Sequence, residues 1–304
     1  MTARRLVEES ATLLDGPWEH RDVSANGVRL HIAELGTGPL VVLLHGFPQF
    51  WWAWRQQIVD LAGAGFRVVA PDLRGYAASD KPPRGYDALT QAADIAGLVR
   101  AIGERTAVVV GHGWGGHVAW TLAAVHPGLV RRLAVITAPH PLRWGTALRD
   151  PAQQRSGGPM LRFQLPWHPE RWLVADDADN VGRLLERWGG PGYPEPAVER
   201  QYRTAMQILA APHCALEPYR WAFRSIPRSD GRRFRRAVRR PIDAPTLQLH
   251  GSLDRCTLAR TASGSGRYVA AAYEWRLLEG VGHFPHEEAP DAVSGELVRW
   301  CKEA

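Results

Sequence analysis

The sequence predicts an α/β protein in which a doubly wound, mostly parallel sheet is interrupted once by a helical insertion. Three observations carry that expectation. Short, nearly continuous apolar runs recur along the first half of the chain. Segments of helical period alternate with them, which is the pattern of βαβ units. The strand runs then cease from 139 to 240 and resume afterwards.

The elements follow in order. Residues 18–23 and 28–34 flank the turn dipeptide Asn26-Gly27 and read as a hairpin at a sheet edge. Residues 40–44 (LVVLL) and 66–70 (FRVVA) are apolar on both faces, as strands inside a parallel sheet are, with a helix expected over 54–62 between them. A helix over 90–102, a strand over 107–110, a helix over 115–126 and a strand over 132–137 continue the alternation, and βαβ crossovers of this kind are right-handed. From 139 to 240, helical pieces broken by Pro and Gly carry Trp144, Trp167, Trp172, Trp188 and Trp221, so this stretch is expected to be a helical cap inserted after the sixth strand. Strands over 245–250 and 274–278 and a helix over 289–301 complete the core. The expected division is thus a core of residues 1–138 and 241–304 and a cap of residues 139–240.

Composition bounds the function classes. At 304 residues, 45% hydrophobic and 22% charged, the chain can bury a full core and is not disordered. Three scattered cysteines, Cys214, Cys256 and Cys301, suggest neither a disulfide framework nor a zinc site, and His283 with His286 has no metal-ligand context, so no metal and no cofactor are expected. The residues from Met1 to Ser10 lack a leader-like apolar core, and no stretch approaches a membrane span. A cytoplasmic protein without a transmembrane helix is expected. The formal net charge of +6 is concentrated in nine arginines between Arg220 and Arg240. Without interleaved aromatics or a binding module, this run reads as a solvated surface, not a nucleic-acid site.

The chemistry gathers in loops after strand ends, where open α/β sheets bind ligands. Val108-Val109-Val110-Gly111-His112-Gly113-Trp114-Gly115-Gly116 is a strand, a sharp turn and a helix start: a nucleophile elbow, G-x-Nuc-x-G, with glycine at the nucleophile position. Gly113 offers no side chain. Its neighbours still supply backbone, because the N–H of Trp114 with that of Phe47, in the loop His45-Gly46-Phe47-Pro48, would form an oxyanion hole. Asp254 in His250-Gly251-Ser252-Leu253-Asp254 and His283 in Gly280-Val281-Gly282-His283 each follow a strand, in the order nucleophile, acid, histidine. The acid would fix the imidazole tautomer and stabilise its protonated form. His45 and His112 read as structural hydrogen-bonders. Trp51, Trp52, Trp114 and the insertion's tryptophans are expected to wall an apolar pocket.

These loops resemble those of the α/β-hydrolase superfamily. His45-Gly46-Phe47-Pro48, Gly111-His112-Gly113-Trp114-Gly115-Gly116 and Asp72-Leu73-Arg74-Gly75-Tyr76 resemble its epoxide hydrolase branch, whose elbow is usually Gly-His-Asp-Trp-Gly-Gly. The resemblance implies the α/β-hydrolase fold and hydrolysis of an apolar epoxide to a vicinal diol. In that family an Asp attacks the epoxide carbon and a water activated by the His/Asp pair hydrolyses the ester. It also implies two cap tyrosines that donate to the epoxide oxygen. Ala215-Leu216-Glu217-Pro218-Tyr219-Arg220 resembles the second of their segments and makes Tyr219 the candidate donor. Phe163-Gln164-Leu165-Pro166-Trp167 resembles the first, with Phe163 where the tyrosine would be, and Phe163 and Trp167 become candidate substrate contacts together with Trp51. The two departures, Gly113 and Phe163, fall on substrate-touching positions. Three outcomes stay open: an impaired covalent hydrolase, a slow hydrolase using His283 as general base, or a binding protein that keeps the pocket. A serine esterase lacks its Ser here, and a haloalkane dehalogenase would also need the Asp.

Overall fold

The computed structural model of the chain describes residues 7–147 and 149–303; the first six residues and Ala304, which fall in the expected core, lie outside them. Eight strands form one sheet: β1 (Glu19–Ala25), β2 (Val28–Leu35), β3 (Leu40–Leu44), β4 (Arg67–Pro71), β5 (Ala107–His112), β6 (Val130–Ile136), β7 (Thr246–Gly251) and β8 (Tyr273–Leu278), in the spatial order β1-β2-β4-β3-β5-β6-β7-β8. β1 pairs antiparallel with β2 and β2 with β4, and every other neighbouring pair is parallel. The expected edge hairpin is β1–β2, turned by Asn26 and Gly27 at φ 49° and 79°.

The burial of each strand matches its place. β3, β5 and β7 are buried at every residue, as apolar runs in a sheet covered on both faces must be. β8, at the edge, is only half-buried or exposed, which explains its mixture of Glu274, Arg276 and apolar residues. Helices α1 (Arg55–Gly63), α2 (Ala88–Ala101) and α3 (Gly113–Val125) make the crossovers between β3, β4, β5 and β6. α2 begins at Asp87, whose carboxylate caps the Thr90 N–H at 2.9 Å. α2 packs with α3, and α1 packs with the last helix of the chain.

Between β6 and β7 the regular elements of the described chain are helices: α4 (Pro141–Ala147), α5 (Pro151–Ser156), α6 (Gly158–Arg162), α7 (His168–Trp188), α8 (Pro196–Met206), α9 (Ala211–Arg224) and α10 (Ser229–Ala237). After β7 come the short α11 (Ala259–Ala262) and α12 (Pro285–Glu288), and then α13 (Pro290–Lys302). α7 is broken where Asp176, Asp177 and Ala178 take φ of 50°, 54° and 61°. The three cysteines are buried free thiols. Among the described residues, no helix is long and apolar enough to cross a membrane.

The arginine-rich run is not uniformly a surface. Arg220 is buried, with Nη1 on Glu170 at 2.6 Å and on Glu217 at 3.2 Å, Nε on the Phe163 carbonyl at 2.9 Å and Nη2 on the Leu165 carbonyl at 3.0 Å. A guanidinium that satisfies two carboxylates and two carbonyls at once can leave water. Among the described residues, Arg232 and Arg235 of α10 reach the Pro227 and Ile226 carbonyls and form no ion pair with a carboxylate.

Candidate active site

The elbow is built from close backbone contact. β5 runs into α3 without an intervening residue, and Gly113 opens the helix at φ 51°. A Cβ on Gly115 would collide with the Leu44 and His45 carbonyls, and one on Gly111 with Gly115, so these glycines let α3 press against β3 and β5. Gly113 differs. A Cβ there would lie 3.7 Å from Gly46 Cα and 3.8 Å from His283 Nε2, both ordinary contact distances. The position has room for a Cβ within contact distance of the imidazole. What a side chain would meet is backbone strain, because the left-handed region costs a non-glycine residue about 1–3 kcal/mol.

The acid and the histidine come together from the ends of β7 and β8. His283 Nδ1 lies 2.9 Å from Asp254 Oδ2. Asp254 Oδ1 accepts the Cys256 N–H at 2.7 Å and the Thr257 N–H at 2.9 Å, and His250 Nε2 stands 3.3 Å from Oδ2. Burial opposes ionisation of Asp254, but His283 and His250 outweigh it and depress the carboxyl below its usual range. Burial likewise opposes the His283 imidazolium, and the Asp254 carboxylate with the Cys256 thiol overcomes it, so His283 titrates well above the ordinary histidine value.

Three neutral histidines brace the loops. His45 Nε2 accepts the Leu73 N–H at 3.0 Å, and His112 Nε2 bonds the His283 carbonyl at 2.8 Å. Burial lowers the pKa of both, and of His286, whose ring lies 4.4 Å from that of His112. The His283 loop is further held by Glu288, whose carboxylate accepts the Gly282, Phe284 and Gly190 N–H groups at 2.6, 2.8 and 2.9 Å. Beside it, Glu287 accepts from Tyr193 and Tyr202 of the helical insertion at 2.8 and 2.7 Å and from Gln49 and Arg55 of the core.

An aromatic wall stands over this centre. Phe47 meets Phe163, Tyr219 and Trp188 at ring distances of 5.5, 5.7 and 6.2 Å, Trp114 meets Tyr219 at 5.5 Å, and Trp188 meets His283 at 5.9 Å. Tyr219 reaches the site from α9. Among the described residues its hydroxyl has no hydrogen-bond partner, and burial raises its phenol well above the ordinary value, so it keeps its proton. Arg220 fixes the relation between Tyr219 and the Phe163 segment through the Phe163 carbonyl. The Trp114 N–H lies in the first turn of α3, where His112 makes no side-chain cap and helix N–H groups can meet negative charge.

Two expected pocket residues are elsewhere. Trp51 is fully buried on the far side of its loop. Its Nε1 donates to the Thr12 carbonyl at 2.9 Å, its ring packs on Trp18 and His20 at 5.1 Å, and its N–H is held by Asp72 at 3.0 Å. It seals the N-terminal segment onto the core instead of walling a pocket. Trp167 is 77% exposed at the start of α7, with φ 55°, and its indole faces solvent. Trp52 stacks on Phe50 under Arg55, away from the site. Among the described residues, Trp188 is the insertion's tryptophan that contacts His283. Nothing in its local sequence distinguishes it from the other four. Glu287 and Glu288 were equally silent as sequence, because each acts through a contact made by folding.

Comparison with known proteins agrees with this geometry. The alpha/beta hydrolase family profile matches residues 41–296. The AB hydrolase superfamily protein YfhM of Bacillus subtilis (strain 168) is 37% identical over 92% of this chain and 96% of its own length. Epoxide hydrolase 3 of Xenopus tropicalis is 31% identical over 91% of this chain and 76% of its own. The crystal structure of epoxide hydrolase A from Mycobacterium thermoresistibile superposes with a TM-score of 0.79 at 28% identity, covering 94% of this chain and 98% of that one. The chain therefore belongs to the alpha/beta hydrolase family, in its epoxide hydrolase-like branch.

Proposed function

We propose that residues 139–240 cap a pocket for an apolar epoxide, and that the covalent route to the diol is disabled by Gly113 alone. The observation that carries this reading is the position of the Gly113 Cβ. It would lie 3.8 Å from His283 Nε2, while the Asp254–His283 pair that would drive the second half-reaction is complete. An Asp at this position would place a carboxylate for attack on the epoxide carbon. Tyr219 would protonate the leaving oxygen, and His283 would activate the water that hydrolyses the ester. Phe47, Trp114, Phe163 and Trp188 supply the apolar surface that favours an apolar ligand.

The test is diol formation from aryl and alkyl epoxides by the native chain and by Gly113→Asp, each with and without His283→Ala. Gly113→Asp is expected to raise turnover by on the order of 10² or more, and His283→Ala is expected to abolish the gain. Equal rates in the native chain and Gly113→Asp would sink the reading.

The space between Gly113 and His283 favours a second, slower route, in which His283 activates a water for direct attack. The sign of its pH dependence is fixed. A base must be unprotonated, and His283 titrates well above its ordinary value, so this residual hydration is expected to rise as the pH is raised from neutral into the alkaline range. A pH-independent or His283-independent background would exclude it. If neither variant turns over but ligands quench the tryptophans, the pocket serves binding.

A further inference from the structure

The arginines that follow α9 have no part in the chemistry at Gly113. α10 docks on the protein through Phe234, which is buried with its ring 5.0 Å from that of Trp221 and 5.8 Å from that of His117. The arginines of the helix turn outward. Ser229, Arg232, Arg233, Arg235, Arg236 and Arg239 line a groove of about 560 Å³ with no acidic residue in its wall. Among the described residues, no arginine from 224 to 239 is ion-paired with a carboxylate, whereas Arg240 meets Asp243 at 3.3 Å. Like charges crowded without a counter-charge repel one another, so an anionic surface laid against them is attracted.

Beside the groove runs a strip of exposed apolar side chains. Leu161 is 55% exposed, Leu165 49%, Trp167 77% and Ile226 45%. Single exposed apolar residues are ordinary, but these four are held together with the arginines. Arg224 Nη2 donates to the Gln164 carbonyl at 3.0 Å, next to Leu165, and Arg235 Nη2 donates to the Ile226 carbonyl at 3.1 Å. The strip is the outer side of the segment whose inner residue, Phe163, is buried against Phe47 and Tyr219.

We propose that this face of the helical insertion docks on anionic phospholipid bilayers, with the α10 arginines among the headgroup phosphates and Trp167, Leu165, Leu161 and Ile226 in the interface. Guanidinium groups bond phosphate oxygens in pairs, and an indole beside leucines suits the boundary between headgroups and acyl chains. A soluble polyanion would meet the arginines and leave the apolar strip in water, so the combination favours a bilayer over a nucleic acid or an acidic protein. The proposal rests on this surface alone and is independent of the epoxide reading.

The experiment is co-sedimentation of the native chain with vesicles of phosphatidylcholine alone and of equal parts phosphatidylcholine and phosphatidylglycerol, at low and at high sodium chloride. Binding is expected only with phosphatidylglycerol present, and it weakens as salt screens the surface potential. Each arginine near such a surface strengthens binding about fivefold, so Arg233→Gln/Arg236→Gln/Arg239→Gln is expected to weaken it by about 10². Leu165→Ser/Trp167→Ser, which leaves every charge in place, is expected to weaken it at least about tenfold. All five side chains are exposed, so both variants should unfold in urea at the native midpoint, and Arg105→Gln, at an exposed arginine ahead of β5, should bind as the native chain does. No binding to the phosphatidylglycerol vesicles, or binding indifferent to the arginine variant, would overturn the proposal. Binding lost in the arginine variant but kept in Leu165→Ser/Trp167→Ser, with retention of both the native chain and that variant on heparin, would overturn it in favour of a soluble polyanion.

Discussion

Gly113 and Phe163 are the two departures from the resembled pattern, and each can be tested as a single side chain. Phe163 is buried, its ring 5.8 Å from that of Tyr219. A hydroxyl added there would be a second donor to the oxygen that Tyr219 faces. One neutral hydrogen bond is worth about 0.5–1.5 kcal/mol, so Phe163→Tyr in the Gly113→Asp background is expected to raise kcat/KM by about tenfold at most. Steady-state kinetics on one aryl epoxide decides this, and no change would place the hydroxyl away from the reacting oxygen. His45 and His112, kept neutral by burial, act on backbone at distances of 2.8–3.0 Å and hold the loops that carry Phe47 and His283.

At the scale of elements, two polar nodes beside the His283 loop join the helical insertion to the core, and Gln153 and Asp150 add further links to Cys256 and Arg260. Glu287 gathers Tyr193 and Tyr202 from the insertion with Gln49 and Arg55 from the core, and Glu288 holds Gly190 together with the His283 loop. Within the insertion, Arg220 ties α9 to the Phe163 segment and to Glu170 of α7. Removing a guanidinium from buried carboxylates costs about 3–5 kcal/mol where they are fully buried. Glu170 and Glu217 keep 19% and 28% of their side-chain surface, so solvent lowers the figure. Arg220→Met is expected to destabilise the protein by about 2 kcal/mol and to lower ligand affinity, because Tyr219 and Phe163 lose their common anchor. Urea unfolding measures the first effect, and tryptophan quenching by an aryl ligand measures the second. A variant as stable as the native chain would show that the anchor is redundant.

For the molecule as a whole, the buried Asp254–His283 pair couples the site to stability. The folded Asp254 carboxyl is depressed below its unfolded value of about 3.9. Its contribution is therefore present above that pH and is lost as the pH falls through the folded value. His283 is raised, so its contribution is complete below about 6.5 and fades as the pH rises through the folded value. Urea midpoints across the acid range should fall more steeply for the native chain than for Asp254→Asn, which also starts from a lower stability at neutral pH. Parallel acid limbs would assign the acid sensitivity to other carboxylates.

The strands, the elbow and the acid and histidine loops were legible before folding because each is local. An apolar run such as Leu40–Leu44 admits one burial pattern, and a turn between strand and helix needs glycine at fixed positions whatever lies around it. Element ends moved by a residue or two, as when α3 began at Gly113 instead of 115, since helix termini depend on neighbouring caps. The tryptophans were not legible. Trp51, Trp167 and Trp188 are alike as apolar letters, yet one seals the N-terminal segment, one lies in solvent and one faces His283. Which role each takes depends on packing partners more than a hundred residues away in some cases, and no local period encodes that. The same is true of Arg220, read as part of a charged surface and found buried between two carboxylates. The sequence by itself determined the sheet, its loops and the glycine at the centre of the elbow, because these follow from side-chain type and short-range spacing. Only the tertiary structure decided which side chains converge on the gap at Gly113, because convergence is a property of contacts between distant segments.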